Sequence, residues 1–242
     1  VIDTLRADHC PDYGYPIDTM PNLRQLVQQS VLFKNVIAPS SWTKTSMASI
    51  MTARNPLRHG VRGVQDVVPH QLTTLAEGLS QNGYLTIGVN TNPWLKATFG
   101  FDAGFDEYET TAIQWPYVRA REVNKIALNL LRKHSPKKPV FLYLHLMDVH
   151  APCTPKPPYY NAEPFLIPGH DTVISDEKLD WLYRKEGLNA PGVRERAIEL
   201  YDGEIRTVDA AIIDLIGSLK NFGLDKNTIY VIASDHGEEF HE

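Results

Sequence analysis

The chain is short of cysteine, of basic charge and of long apolar runs, and each shortage closes off a class of function. Its two cysteines, Cys10 and Cys153, stand alone, with no C-x-x-C pair to hold zinc or cycle redox equivalents. They are read as isolated thiols; a disulfide between them stays open, and with it the compartment. Lys and Arg number 24 against 29 Asp and Glu, a net charge of -5, which speaks against nucleic acid as a partner. An anionic substrate must then be held locally, by a metal or by backbone N–H groups. No apolar run approaches the roughly 18 residues of a membrane span. No leader sequence is visible, but the chain opens on Val1-Ile2, read as the stub of a strand. A periplasmic, extracellular or membrane-anchored parent therefore stays open, as does the oligomeric state.

What is present is an ordinary globular composition, 43% hydrophobic and 22% charged over 242 residues, long enough for one large core. Apolar, β-branched runs alternate with helical patterns. The strands predicted are Val31 to Ile37, Leu85 to Asn90, Val140 to Met147 and Thr228 to Ser234, besides the stub. The helices predicted are Met20 to Ser30, Ser46 to Thr52, Leu72 to Gln81, Arg119 to Lys133 and Arg194 to Asn221. Strands that are hydrophobic throughout and separated by helices predict an α/β fold, a largely parallel sheet sandwiched between helices. Residues 1–242 are read as one domain with no internal repeat. Residues 152–193, rich in proline, are read as a long excursion over the sheet edge, with one short helix around Asp176 to Lys185.

Chemistry-bearing residues gather where strands end. Thr228 to Ser234 runs into Asp235-His236-Gly237-Glu238, and Val1-Ile2 runs into Asp3-Thr4-Leu5-Arg6. The carboxyl edge of a sheet is where such a fold presents ligands, so the two ends of the chain predict one metal site. A hydroxyl-rich stretch, Ser40 to Thr52, opens a helix. Hydroxyls at a helix start are usually caps, but their number here exceeds what capping needs, and a Thr there also stands beside an anion site and can become a nucleophile beside a metal. Trp42, Trp94 and Trp115 are read as packing residues.

The order of short motifs is more specific than any one of them. Asp3-Thr4-Leu5-Arg6-Ala7-Asp8, Tyr13-Gly14-Tyr15 and Thr19-Met20-Pro21-Asn22-Leu23 are followed by Trp42 to Thr52 and Arg58-His59-Gly60-Val61. Next come Gly83-Tyr84-Leu85-Thr86, Phe101 to Asp106, His145 to Pro152, Tyr201 to Ile205 and Ser234 to Glu238. Together they resemble the sulfatase family of the alkaline phosphatase superfamily, over nearly the whole chain. The resemblance implies one divalent metal ion (calcium, zinc, manganese or magnesium) held by Asp3, Asp235, His236 and Thr43. It implies Thr43 as nucleophile and His150 as the residue that binds the transferred group or protonates the leaving oxygen. His145 is the weaker candidate. A further segment is expected beyond Glu242, which would leave this piece weakly active or inactive.

The chain departs from that family's pattern where the anion is held. The usual Cys-x-Pro-Ser-Arg reads Thr43-Lys44-Thr45-Ser46-Met47 here, so no formylglycine is expected, because a threonine could oxidise only to a ketone. The Arg is Met47, the usual Lys after Gly-Tyr-x-Thr is missing, and Thr4 stands where many sulfatases carry a second Asp. Lys44, Arg54 or Lys96 are candidates to replace the lost charge. The expected activity is metal-dependent hydrolysis of sulfate or phosphate esters, on a small-molecule, glycan or lipid ester. The alternatives are a phosphoethanolamine- or phosphoglycerol-type transferase, a phosphodiesterase, or a non-catalytic binding domain.

Overall fold

The structure is a computed structural model that describes residues 1–110, 118–135, 137–160, 165–166, 173–175, 178–179, 183 and 192–240. Its centre is a parallel sheet. Strand β1 (Leu85–Asn90) lies between β2 (Glu107–Glu109) and β3 (Val140–His145), both parallel to it. The sheet continues past β3 through single bridges: Ile2 joins Leu146 on one side and Ser234 on the other, again in parallel. Parallel strands put all their carboxyl ends at one edge, so Asp3, Asn90, His145 and Asp235 arrive together.

Helices cover both faces because both faces of the strands are apolar. On one face lie α5 (Ala120–His134) and the last helix, α6 (Val193–Leu219). The buried residues of α5 include Ala120, Val123, Ala127 and Leu131, spaced three or four apart as one helical stripe. They meet Leu142 and Leu144 of β3 and Ile87 and Val89 of β1, with Leu200, Ala211 and Leu215 of α6. A fully buried side chain such as Leu131 contributes roughly 1.5–3 kcal/mol by leaving water. On the other face α2 (Thr43–Thr52) places Met47, Ala48 and Met51 against Tyr143, with Phe141, Phe105 and Tyr108 beside them. Alternation along β3 therefore assigns Phe141, Tyr143 and His145 to the α2 side. At the near edge α4 (Leu75–Gln81) starts with a capping box, Thr74 Oγ1 accepting from Glu77 N and Glu77 Oε2 accepting from Thr74 N. The shorter α1 (Leu23–Val27) and α3 (Pro56–His59) complete the helices between.

Two predicted strands fail, and for one reason. Residues 31–37 form no strand, and Val31, Phe33, Val36 and Ile37 are exposed. Residues 228–232 form no strand either: the segment joins the sheet only near its end, where Ile2 N donates to Ala233 O, and Ile229 and Val231 stay exposed. Apolar, β-branched composition does not make a strand without a neighbouring ladder to take its N–H and C=O groups. The helix expected over 20–30 shrinks to α1. The one expected from Ser46 begins earlier, at Thr43.

The excursion holds structure that its composition did not announce: β4 (Phe165–Leu166) pairs antiparallel with β5 (Val173–Ile174). Of the short helix predicted over 176–185, Lys178, Leu179 and Tyr183 are described as helical, and Leu179 and Tyr183 join the main core; the rest lies outside the described residues, as does Trp115. Cys10 and Cys153 are both buried. Among the described residues no helix is long and apolar enough to cross a membrane.

Candidate metal centre

Four carboxyl-edge segments and one helix start converge on a single buried cluster. Asp3 follows the bridged Ile2 and is fixed by its N–H, which donates to Leu146 O at 2.9 Å. Thr4 then turns the chain in the left-handed region, at φ 57, a conformation that a β-branched residue adopts only under constraint. The constraint is visible: the Tyr201 hydroxyl donates to Thr4 O at 2.7 Å and accepts from Arg6 N at 2.8 Å. Thr4 N donates to Asp235 Oδ1 at 3.2 Å, joining the two ends of the chain. Helix α2 is tied to the same point by Ser46 Oγ, which donates to Asp235 O at 2.6 Å. Its N-cap, Trp42, offers no side-chain cap, so the first-turn N–H groups are not taken by that residue.

Thr43 Oγ1, at the head of α2, lies 3.1 Å from His236 Nε2 and 3.5 Å from Asp3 Oδ2. His236 Nδ1 is 2.8 Å from Gly237 O; a carbonyl only accepts, so Nδ1 carries the hydrogen and the neutral ring turns a lone pair on Nε2 toward Thr43. The same Nε2 is 3.8 Å from Asp3 Oδ1 and 3.5 Å from Asp235 Oδ2. Those two carboxylate oxygens are buried and have no hydrogen-bond partner. An orphaned buried carboxylate oxygen is costly, and two of them facing one imidazole lone pair and one hydroxyl form a donor set that a divalent cation satisfies. The hard oxygens with a single imidazole suit zinc, manganese, magnesium or calcium.

The electrostatics are those of two carboxylates competing for one place. Burial pushes both carboxyls up. At Asp3 it is outweighed by the hydrogen bond with His145 and by the imidazoles of His145, His150 and His236, which hold that carboxyl down at about 2. At Asp235 burial and the Asp3 charge prevail, and its carboxyl is raised. A bound cation would remove that conflict.

The structure brings Asp3, Thr43, Asp235 and His236 together, with half-buried His150 near enough to act on Asp3. The charged substitutes fare worse. Lys44 is buried, its Nζ donates to Val64 O at 2.7 Å, and it sits 3.4 Å over the Phe99 ring. Met47 is core, and Arg54 and Lys96 are exposed. Half-buried Trp42 and Trp94 pack on each other edge to face, their centroids 5.6 Å apart.

His145, ranked low from the sequence, is fully buried, and its Nε2 lies 2.8 Å from Asp3 Oδ2. Asp3, His145 and Asp235 each offer an atom within 4.8 Å of the others. Asn92, which sequence reasoning missed, donates to Asp3 Oδ2 at 2.7 Å. It stands just beyond the carboxyl end of β1, the position rule that found Asp3 and Asp235, but an amide there carried no chemical signal.

Several known proteins share this fold. An arylsulfatase of Clostridium perfringens is 22% identical over 297 residues, covering 98% of this chain, which spans 62% of that enzyme's length. The fold matches the structure of BT4656 in complex with its substrate D-glucosamine-2-N,6-O-disulfate, with a TM-score of 0.78 at 18% identity, over 99% of this chain and 65% of that one. It also matches the soluble domain of lipooligosaccharide phosphoethanolamine transferase A from Neisseria meningitidis, with a TM-score of 0.69 at 18% identity, covering 99% and 66%. The zinc complex of the periplasmic domain of EcEptC from Escherichia coli gives a TM-score of 0.64 at 17% identity, covering 99% and 63%. The family model described as Sulfatase matches residues 1–242, and the chain belongs to the sulfatase family.

Proposed function

We propose that the chain carries the catalytic site of a metal-dependent hydrolase of sulfate or phosphate esters, with Thr43 as covalent nucleophile. The observation that carries this reading is the approach of Thr43 Oγ1 to His236 Nε2 at 3.1 Å, beside the orphaned oxygens of Asp3 and Asp235. Asp3, Asp235, His236 and Thr43 would hold the cation. When bound, it supplies Lewis acidity that eases deprotonation of the Thr43 hydroxyl and offsets charge on the ester oxygens.

The chain's own residues do the rest. The first-turn N–H groups of α2 offer donors for the non-bridging oxygens. Thr43 Oγ1 gives up its proton to solvent and forms the bond to sulfur or phosphorus, the ester bond to the leaving oxygen breaks, and His150 binds the transferred group or protonates that oxygen. Water then cleaves the Thr43 ester and restores the hydroxyl. With Met47 in place of an arginine and the Lys44 ammonium held on Val64 O and Phe99, the site suits singly charged esters, such as a diester or a sulfate ester. A glycan or lipid ester is the substrate class in keeping with the BT4656 sulfated-sugar complex and the Neisseria transferase.

Transfer is the second reading: an alcohol takes the group from Thr43 in place of water. The hydroxyl nucleophile and the resemblance of fold to the Neisseria phosphoethanolamine transferase favour it. Mass spectrometry of the protein after exposure to a panel of sulfate mono- and phosphate diesters tests the nucleophile. A sulfo or phospho adduct on Thr43, absent from Thr43→Ala, supports it; full turnover by Thr43→Ala sinks it. Product partition between water and added alcohol separates the two readings.

A further inference from the structure

The two oxygens of the Asp3 carboxylate live in opposite surroundings. Oδ2 accepts from Asn92 Nδ2 at 2.7 Å and lies 2.8 Å from His145 Nε2, while Oδ1 is buried without a hydrogen-bond partner. On the far side of the imidazole, His145 Nδ1 lies 2.9 Å from the Tyr143 hydroxyl. Asp3 and His145 are 0% exposed and Tyr143 7%, so this chain of contacts runs inside the protein. The direction of its hydrogens follows from the acceptors. Ionised Asp3 can only accept, so Nε2 carries a hydrogen; in the neutral ring Nδ1 then accepts, and the Tyr143 hydroxyl donates. Burial pushes the Tyr143 phenol well above its ordinary range, which keeps that donor protonated.

Backbone geometry explains how the chain of contacts is assembled. Tyr143 and His145 are two apart on β3 and share the α2-facing side. His145 is paired in register with Asn90, and the next residue, Leu146, takes the Asp3 N–H. Strand register thus delivers Asn92 and His145 to the same carboxylate oxygen from two neighbouring strands.

We propose that Tyr143 and His145 are positioning residues for the metal: they pin Asp3 Oδ2 and so turn Oδ1 toward the cation. His145 stands outside the ligand set, although it is within reach of it, because its Nε2 hydrogen is spent on Oδ2. This rests on the reading of Asp3 as a metal ligand. Partners of this kind fix the rotation of a ligating carboxylate, which otherwise turns freely on its stem, and their loss costs roughly 10–100-fold in metal affinity.

The test is titration of the protein with zinc and with cobalt(II), in competition with a chromophoric chelator. His145→Ala is expected to weaken binding by roughly 10–100-fold. Tyr143→Phe, which removes one oxygen, is expected to weaken it roughly two- to tenfold. The double variant should be no weaker than His145→Ala alone, because the hydroxyl acts only through the imidazole. His145→Gln, whose amide still carries N–H donors, should recover part of the loss. At saturation the cobalt d–d spectrum of each variant should match that of the parent. If His145→Ala does not fold, Tyr143→Phe carries the same test. Affinity unchanged within about twofold in these variants overturns the proposal, and so does a saturated cobalt spectrum that loses a nitrogen ligand. Asp3→Asn separates the two levels. If it binds metal like the parent, the metal-site reading itself is wrong; if it loses metal while His145→Ala and Tyr143→Phe do not, only the positioning role is wrong.

Discussion

Thr43 Oγ1 lies 3.1 Å from the Nε2 lone pair of His236, on elements drawn from the opposite ends of the sequence. The contact needs an oxygen at that place and no more, which makes the serine substitution informative. Thr43→Ser should keep ester cleavage within about tenfold of the parent, whereas Thr43→Ala should lose at least ~10³-fold in kcat/KM. Steady-state assays at saturating metal check this; equal loss in both variants would point to the threonine methyl, and so to packing.

Asp235 shows the conflict between function and stability. Its carboxyl is raised by burial and by the neighbouring Asp3 charge, and its Oδ2 has no partner. In a chelator, Asp235→Asn should therefore stabilise the protein, by about 1–2 kcal/mol, because a neutral amide removes the repulsion. The same variant should lose stoichiometric metal. Thermal unfolding with and without zinc reads both effects; a variant that melts lower than the parent in chelator contradicts the account.

Thr4 stores strain beside that site. It is held at φ 57 with a buried hydroxyl that has no hydrogen-bond partner. Glycine adopts that backbone freely, so Thr4→Gly should raise stability in the metal-free state by about 1 kcal/mol, the relief of strain exceeding the entropy cost of glycine. Urea unfolding measures it. A loss of stability would mean that the Thr4 side chain contributes packing that outweighs its strain.

A second buried acid predicts a pH response away from the candidate metal centre. Glu204 of α6 accepts from Arg119 Nη1 at 2.6 Å and from Thr154 N at 2.8 Å, and Asp148 shares the same guanidinium at 3.8 Å. Burial raises its carboxyl, Arg119 only partly offsets this, and the result is about 7 against an ordinary 4.5. The folded state thus holds the proton more tightly than the unfolded chain. Stability from this group is complete below pH 4.5 and is lost as the pH rises to about 7, by up to roughly 3 kcal/mol. Glu204→Gln should flatten that slope in urea unfolding measured in chelator between pH 5 and 8. An unchanged slope would place the titration elsewhere.

The legible parts of the sequence were those governed by local pattern. The helical pattern of Arg119 to Lys133 and the hydrophobic run of Val140 to Met147 follow from spacing, and they appear as α5 and β3. Residues 31–37 and 228–232 have strand composition yet remain mostly exposed, because pairing is decided by a neighbour and not by the segment itself. His145 shows the same limit at the site. Its parity on β3 was readable, but its contact with Asp3 depends on Leu146 being bridged to Ile2, a relation between distant segments.

By itself the sequence determined the class of fold, the carboxyl-edge position of Asp3 and Asp235 and the family, since strand periodicity and the order of motifs are properties of the chain. Only the tertiary structure decided which oxygens are left unsatisfied, that Asn92 and His145 hold Asp3, and that Lys44 turns away to Val64. Those outcomes depend on distances between segments far apart in the chain, set by sheet register and by what burial denies to each polar group.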